Sequence, residues 1–308
     1  MFKNSTPDDG PVIVADGLTK RYGHATVVDG LSFQIRPGRV TGFLGPNGAG
    51  KTQTIKMILG LVRPSAGTAT IEGVPLSAHR DPARVVGCVL DGGAFSPGRR
   101  ARRALRITAR VAGVPFSRVD QLIDLVGLGE DADRKVGDYS LGMRQRLALA
   151  QGLLADPAVL IADEPANGLD PAGISWMREL LRELAARGMT ILLSSHLLSE
   201  AERLVDDVIV IASGRLITHG SLHDLRASGR REVLVDAADR ATLAAELRAH
   251  GMTVTANGSG PIRVSGEAAR VGEVTAQAGI PLLKLEQTEE GLEELFLKLI
   301  DRQSEVQR

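Results

Sequence analysis

Residues 45–52 carry the most specific chemistry in the sequence, because they fit the pattern Gly-x-x-x-x-Gly-Lys-Ser/Thr. Small residues let successive backbone N–H groups converge on an anion, and glycines adopt the positive φ angles that such a curve requires. Lys51 is placed to bridge the β- and γ-phosphates of a nucleotide, and the Thr52 hydroxyl is placed to bind Mg²⁺. A plain glycine-rich turn is the alternative. The motif predicts a site for a nucleoside triphosphate.

Two adjacent carboxylates, Asp163 and Glu164, lie near the end of the segment 159–165, which predicts a buried parallel strand. The carboxyl end of such a strand beside a phosphate loop is where a Mg²⁺-binding aspartate belongs. Glu164 is then placed to polarise a water molecule. His196 follows another apolar run, 190–194. A single histidine is more often structural, but from this strand end it could reach a γ-phosphate.

The phosphate loop needs a strand before it and a helix after it, and the sequence supplies both. Residues 40–44 predict a short buried strand, and residues 53–59 continue a helix that begins near Gly50. The N-terminal end of that helix directs its positive dipole at the phosphates. Further predicted strands cover residues 12–18, 27–35, 67–73 and 85–90, and helical patterns cover residues 99–129 and 147–154. The alternation of strands and helices predicts an α/β fold.

Composition limits the class of protein. The 308 residues include 37 Lys plus Arg and 37 Asp plus Glu, so the formal net charge is zero and gives no global attraction for nucleic acid. The single cysteine, Cys88, excludes a disulfide within the chain and favours a reducing compartment. The polar first ten residues do not resemble a signal peptide, and no run of about 18 apolar residues is present. We expect a soluble, cytoplasmic protein of about two domains.

Six motifs occur in one order along the chain: Tyr22, residues 45–52, residues 140–145, the pair Asp163 and Glu164, residues 167–170, and His196. This order resembles that of the nucleotide-binding subunit of ATP-binding-cassette (ABC) transporters. The resemblance covers roughly residues 11–220. It implies an α/β phosphate-loop NTPase cassette over residues 1–220, with a helical signature subdomain at about residues 92–157.

The resemblance also implies an activity and partners. Two cassettes, here two copies of this chain, would face head to tail with two ATP molecules and Mg²⁺ between them. ATP hydrolysis would power a permease on a separate chain in the membrane. The cassette would then be cytoplasmic and peripheral to the inner face of the cell membrane, with no nucleic-acid partner.

Carried over position by position, the resemblance assigns roles to individual residues. Catalysis falls to Glu164, His196 and Lys51, and Mg²⁺ binding falls to Thr52, Asp163 and Asp91. The nucleotide would be contacted by Tyr22, Gly45, Pro46, Asn47, Gly48, Ala49, Gly50, Lys51, Thr52, Gln53, Ser140, Gly142 and Asp170. Tyr22 would stack on adenine, although ordinary packing at a strand end is the alternative for a single tyrosine.

Three positions depart from the usual pattern of the family. Leu141 stands where glycine is usual, Met143 where glutamine is usual, and Asp91 where a Mg²⁺-contacting glutamine is usual. These variants resemble the bacitracin, lantibiotic-immunity and daunorubicin-type drug-export cassettes, which favours export. The alternatives are a soluble ABC ATPase that acts on nucleic acid or ribosomes and a non-hydrolysing regulator. One phosphate loop, no long heptad run and intact site residues argue against both.

Residues 221–308 predict a separate accessory domain. Strands 231–237, 253–255, 262–265 and 282–286 alternate with helices 241–250, 268–278 and 291–300. This order predicts a small α+β module of the ferredoxin-like type. It carries no nucleophile–base pair or metal-ligand cluster. A packing or dimerisation appendage is one interpretation, and a regulatory or permease-contacting domain is the other. Residues 289–297 resemble the end segment of drug-export cassettes.

Overall fold

The structure, a computed structural model, describes residues 10, 12–90, 95–196, 202–228, 232–255 and 260–288. The chain divides into two compact units, Met1–Ser221 and Leu222–Arg308. The strands are β1 Ile13–Tyr22, β2 Ala25–Ile35, β3 Val40–Leu44, β4 Ala66–Ile71, β5 Val86–Val89, β6 Val159–Ala162, β7 Thr190–Ser195, β8 Asp207–Ala212, β9 Arg215–Ser221, β10 Glu232–Ala237, β11 Thr253–Thr255, β12 Ile262–Ser265 and β13 Leu282–Thr288.

The described helices are α1 Lys51–Ile58, α2 Pro82–Val85, α3 Ala101–Val111, α4 Phe116–Leu125, α5 Leu141–Gly152, α6 Pro171–Ala186, α7 Leu222–Ser228, α8 Arg240–Ala249 and α9 Ala268–Gln277. The helical pattern at 99–129 corresponds to α3 and α4, which residues 112–115 separate, with a turn at Ala112 and Gly113. Ser140 is a favourable N-cap residue in the sequence ahead of the apolar helix 147–154, and its side chain does cap α5, which begins at Leu141 and includes residues 147–152.

A six-stranded sheet in the order β5-β6-β7-β3-β8-β9 forms the centre of the first unit. Strands β5, β6, β7, β3 and β8 pair in parallel, and β9 pairs antiparallel with β8. All residues of β3, β6 and β7 are buried, as expected for parallel strands that are covered on both faces. The carboxyl ends of these three adjacent strands share one edge of the sheet. This edge positions the site.

A second, antiparallel sheet in the order β2-β1-β4 also belongs to the first unit. Strands β1 and β2 are longer than the predicted strands 12–18 and 27–35. Their pairing continues to Tyr22 and Ala25, which a two-residue turn with Gly23 at φ 57° connects. The rings of Phe33 on β2 and Phe43 on β3 lie 5.5 Å apart, so the two sheets share one apolar core.

The second unit contains a four-stranded antiparallel sheet in the order β11-β12-β10-β13. Its core is apolar and comes from the sheet and from α8 and α9, with Val233, Val235, Leu243, Leu247, Val264 and Val271 buried. The β-α-β-β-α-β order and this strand arrangement match the predicted ferredoxin-like module. The helix predicted at 291–300 and the segment 289–297 lie outside the described residues. No helix in the described part of the chain has the length and apolar character that crossing a membrane requires.

Candidate nucleotide-binding and catalytic site

The phosphate loop joins β3 to α1 and has the backbone that an anion cradle requires. Gly50 has φ 99° and is the N-cap residue of α1. A Cβ atom at this position would lie 2.8 Å from the Val27 carbonyl oxygen, so a side chain does not fit. Gly48 has φ 79°, and a Cβ atom there would meet nothing within 4 Å. Pro46, Asn47 and Gly48 are exposed, which leaves the outer side of the loop open to a ligand.

Lys51, the first residue of α1, folds its side chain back into the loop. Its Nζ atom donates to the carbonyl oxygens of Gly45, at 2.7 Å, and Pro46, at 3.2 Å. The same ammonium lies 3.3 Å from Glu164 Oε1. Lys51 is buried, with 6% of its surface exposed. A buried ammonium inside the curve of the loop is suited to bind the oxygens of a phosphate chain.

Thr52 and Asp163 supply the oxygen atoms expected of a Mg²⁺ site. The Thr52 hydroxyl donates to Asp163 Oδ2 at 2.7 Å, and Asp163 is buried at the end of β6. Mg²⁺ prefers oxygen ligands and is commonly bound by one or two carboxylates together with substrate phosphates. In the described part of the chain, no three His, Cys, Asp or Glu side chains form a metal-binding group. The pair therefore fits a Mg²⁺ ion that phosphate oxygens help to hold, rather than an all-protein metal cage.

Glu164 lies between two nitrogen-bearing side chains. Its Oε2 atom is 2.8 Å from His196 Nδ1, and its Oε1 atom faces Lys51. The prediction of a strand to residue 165 was wrong here, since β6 ends at Ala162 and Glu164 has φ 47°. This left-handed backbone departs from the extended conformation that a strand requires. A carboxylate in this position can orient and deprotonate a water molecule next to a phosphate.

The segment 140–145 forms a second group of predicted site residues. Ser140 caps α5 and accepts a hydrogen bond from the Met143 backbone N–H at 3.2 Å. A Cβ atom at Gly142 would lie 3.3 Å from Leu169 Cδ2, and Gln145 Nε2 is 3.5 Å from the Asn167 carbonyl oxygen. The start of α5 therefore packs on residues 167–170 of its own chain.

The remaining predicted site residues are Asp170, Tyr22, Gln53 and Asp91. Asp170 caps α6 and accepts from the Gly173 backbone N–H at 2.8 Å. Tyr22 is half exposed at the end of β1, with Lys20 Nζ 4.9 Å from its ring centroid. Gln53 is half-buried on α1. Asp91 lies outside the described residues. Among those described, no hydrogen bond or ion pair joins Ser140 or Gly142 to residues 45–52.

Ser194 is a site residue that the sequence reading missed. Its hydroxyl donates to Asp163 Oδ1 at 2.5 Å and accepts from the Glu164 backbone N–H at 2.9 Å. The residue was assigned only to the apolar run 190–194. A hydroxyl in a buried parallel strand needs a partner, and that requirement was the signal available in the sequence.

The chain is similar in sequence to known proteins. The sequence profile of the ABC transporter family matches residues 28–167, and that of a domain of unknown function matches residues 231–293. The chain is 37% identical to the bacitracin transport ATP-binding protein BcrA of Bacillus licheniformis over 297 residues, which cover 94% of this chain and 97% of the relative. It is 44% identical to the Nod factor export ATP-binding protein I of Ralstonia nicotianae over 220 residues, covering 70% and 68% of the two chains.

Solved structures give the same result for the fold. An ATP-binding subunit of an ABC transporter superposes with a TM-score of 0.64 at 28% identity, covering 70% of this chain and 92% of that one. The protein cbiO1 from Clostridium perfringens, part of the ABC transporter complex cbiONQ, superposes with a TM-score of 0.62 at 28% identity over 71% and 92% of the two chains. The predicted phosphate-loop NTPase fold is confirmed.

Proposed function

The chain belongs to the ABC transporter family of ATP-binding subunits and is an ATPase, and from this premise we propose that it powers a drug-exporting permease on a separate chain. The observation that carries the proposal is the position of the Glu164 carboxylate. It lies between Lys51 Nζ and His196 Nδ1, beside the Thr52–Asp163 pair. An acceptor for the proton of water thus lies next to the groups that would hold the phosphates and the metal.

The names of the relatives support export as the direction of transport. One relative is named for bacitracin transport and another for Nod factor export. The match to the bacitracin relative covers 94% of the chain and so includes much of the second unit, whereas the match to the Nod factor relative covers 70%. We therefore favour an antibiotic-like compound as the cargo of the permease.

The site residues divide the work of hydrolysis. The backbone N–H groups of residues 45–52 and the Lys51 ammonium bind the phosphate chain, while Tyr22 stacks on adenine. Thr52 and Asp163 would hold Mg²⁺, which would supply positive charge to the phosphate oxygens. Asp91 would add a second carboxylate for the same ion. Glu164 accepts the proton of the attacking water at one carboxylate oxygen.

His196 keeps Glu164 in place for that step. The contact between His196 Nδ1 and Glu164 Oε2, at 2.8 Å, fixes the orientation of the carboxylate. The second ring nitrogen, Nε2, can donate to a phosphate oxygen when it carries a proton as well. Lys51 lies beside the other oxygen of Glu164. A phosphate that binds Lys51 therefore also weakens the attraction between Lys51 and the proposed base.

A second copy of the chain completes the site in this proposal. The capped N-terminus of α5 attracts anions, yet among the described residues Ser140 has no hydrogen bond to residues 45–52 of its own chain. In this proposal Ser140, Gly142 and Asp170 contact the ATP of a facing copy. The permease would hold this dimer at the inner face of the membrane, in the cytoplasm. A formal net charge of zero gives no support for nucleic acid as a partner.

Two measurements test the proposal. The purified chain should hydrolyse ATP in the presence of Mg²⁺, and a chain that neither binds nor hydrolyses ATP would contradict the ATPase assignment. Co-expression with its permease should then raise the bacitracin resistance of a sensitive bacterium. Lys51→Ala, expressed at the same level, is the matched control and should give no protection. Equal protection by both proteins would show that transport does not depend on this site.

A further inference from the structure

We infer that Ser194 is a positioning residue that fixes both acidic groups of the site through one buried hydroxyl. The inference deepens the proposed ATPase function and depends on it. Ser194 lies on β7, between β6 and β3, and none of its surface is exposed. Its backbone pairs with Phe43 on β3, and β7 pairs with β6 up to the preceding residue, Leu193, so the Ser194 side chain has a fixed position next to the end of β6.

The direction of each hydrogen bond follows from the chemistry of the groups. A serine hydroxyl has one hydrogen to donate and lone pairs to accept. The Glu164 backbone N–H can only donate, and it points at Ser194 Oγ from 2.9 Å. The ionised Asp163 carboxylate can only accept, so the Ser194 proton goes to Oδ1 at 2.5 Å. The Ser194 hydroxyl therefore donates its only hydrogen to Asp163 and accepts one hydrogen bond from the Glu164 backbone N–H.

The first consequence concerns the orientation of Asp163. Each of its two oxygens accepts one hydrogen bond, Oδ1 from Ser194 and Oδ2 from Thr52. The Ser194 bond therefore sets the plane of the carboxylate and turns Oδ2 towards Thr52, where the metal-binding pair forms. Without the hydroxyl, Oδ1 would be a buried acceptor that has lost this donor, and the carboxylate could rotate to seek another.

The second consequence concerns the backbone of Glu164. A residue with a side chain is disfavoured at φ 47°, so this conformation persists only where surrounding bonds hold it. The bond from the Glu164 N–H to Ser194 Oγ is one of these. The left-handed turn is what brings the carboxylate to Lys51 Nζ and His196 Nδ1. Loss of the hydroxyl should allow the backbone to relax and move the base away from the attacking water.

A near-isosteric pair of variants isolates the hydroxyl from packing at this buried position. Ser194→Thr keeps the hydroxyl and adds a methyl group, and Ser194→Val has the same shape without the hydroxyl. Both are compared in the full chain with Thr41→Val on β3. Thr41 Oγ1 is a second buried hydroxyl, and it has no hydrogen-bond partner among the described residues. Thermal melting and binding of a fluorescent ATP analogue without Mg²⁺ establish that each variant is folded and retains its phosphate loop.

The decisive readout is the gain in nucleotide affinity on adding Mg²⁺, measured by fluorescence titration. In Ser194→Val we expect that gain to fall by about 10- to 100-fold, with a matching rise in the KM for MgATP, and kcat to fall by a similar factor. Ser194→Thr and Thr41→Val should match the wild type in both quantities. Wild-type Mg²⁺ dependence and kcat in Ser194→Val would overturn the inference.

Two further outcomes would contradict different claims, one the role of Ser194 and the other the proposed function. If Ser194→Val and Ser194→Thr lose Mg²⁺-free nucleotide binding and thermal stability to the same extent, Ser194 serves packing alone and the inference is wrong. A wild-type chain that binds and hydrolyses no ATP would instead contradict the proposed function itself.

Discussion

Lys51 Nζ lies 3.3 Å from Glu164 Oε1, which places the ammonium of the phosphate loop against the carboxylate that is proposed to activate water. Lys51 has little exposed surface, so solvent competes weakly for this contact. A phosphate that approaches the ammonium competes with Glu164 for the same charge. The contact therefore couples occupation of the phosphate loop to the freedom of the proposed base.

Replacing Glu164 with glutamine should separate binding from hydrolysis. Glu164→Gln keeps the shape of the side chain but cannot take up a proton, and loss of a general base lowers kcat by about 10²- to 10⁴-fold. ATP binding should persist or tighten, because Lys51 loses a charged competitor of the phosphate. We expect an ATP-bound dimer by size-exclusion chromatography. Near-normal hydrolysis would show that another group activates the water.

Removing the Lys51 ammonium should have the opposite effect. Lys51→Ala deletes a charged donor to the phosphates, which should weaken ATP binding by roughly 10- to 100-fold. The variant should therefore remain monomeric at ATP concentrations that dimerise Glu164→Gln. Isothermal titration of both variants provides the comparison. Unchanged ATP affinity in Lys51→Ala would mean that the loop backbone alone binds the nucleotide.

The proposed head-to-tail dimer predicts a dependence on protein concentration. Because each site needs residues 45–52 of one copy and the Ser140 helix cap of another, dilution should lower the ATPase rate per chain. Steady-state assays over a wide range of chain concentrations measure this directly. A constant rate per chain in samples that light scattering shows to be monomeric would contradict the composite site.

Gly168 should be sensitive to substitution because Leu141 covers it. Gly168 has φ 75°, and a Cβ atom there would lie 1.9 Å from Leu141 Cδ2. Gly168→Ala should therefore lower stability by roughly 1–3 kcal/mol and slow hydrolysis, since the start of α5 must shift. Gly73→Ala is a matched control, with φ 83° and nothing within 4 Å of the new atom.

The steric overlap between a Cβ atom at Gly168 and the Leu141 side chain can be tested by adding Leu141→Ala to Gly168→Ala. The second substitution gives the new methyl group space and should restore part of the lost stability, measured by chemical denaturation. If Gly73→Ala and Gly168→Ala lose equal stability, backbone strain explains both and the contact with Leu141 has no separate effect.

Asp207 on β8 should make stability depend on pH. Burial raises the pKa of this carboxyl group, while Arg39 at 3.3 Å opposes the shift. A folded-state pKa above the unfolded value means that stability present below the unfolded pKa, about 3.9, is lost as pH rises through the folded pKa. Asp207→Asn should therefore be more stable than the wild type at pH 7, with an advantage that shrinks towards pH 4.

Asp236 on β10 provides a control of opposite sign. Its hydrogen bond to Arg240 lowers the pKa of Asp236, so the stability it contributes is present above the unfolded pKa and is lost as pH falls through the folded pKa. Asp236→Asn should be less stable than the wild type at pH 7. Urea denaturation at several pH values compares the two variants, and equal effects at pH 7 would refute the assignment for Asp207.

The sequence alone determined the features that depend on local pattern. Residues 45–52 specify their own curve because three glycines and Lys51 lie within eight consecutive residues. The apolar runs at β3, β6 and β7 specify buried strands. Ser140 specifies a helix start because its side chain bonds within one turn. The order of these motifs was sufficient to identify the family, which the relatives then confirmed.

Tertiary structure decided what depends on contacts between distant segments. Strands β6 and β7 are separated by a helix in the sequence and become neighbours only when the sheet forms. Their pairing brings Ser194 to Asp163 and to the Glu164 N–H. The left-handed turn at Glu164 has no signature in its residue type, since local sterics favour other conformations and only surrounding bonds stabilise this one. A serine in an apolar run shows that a partner is needed, but only the folded chain determines which group becomes that partner.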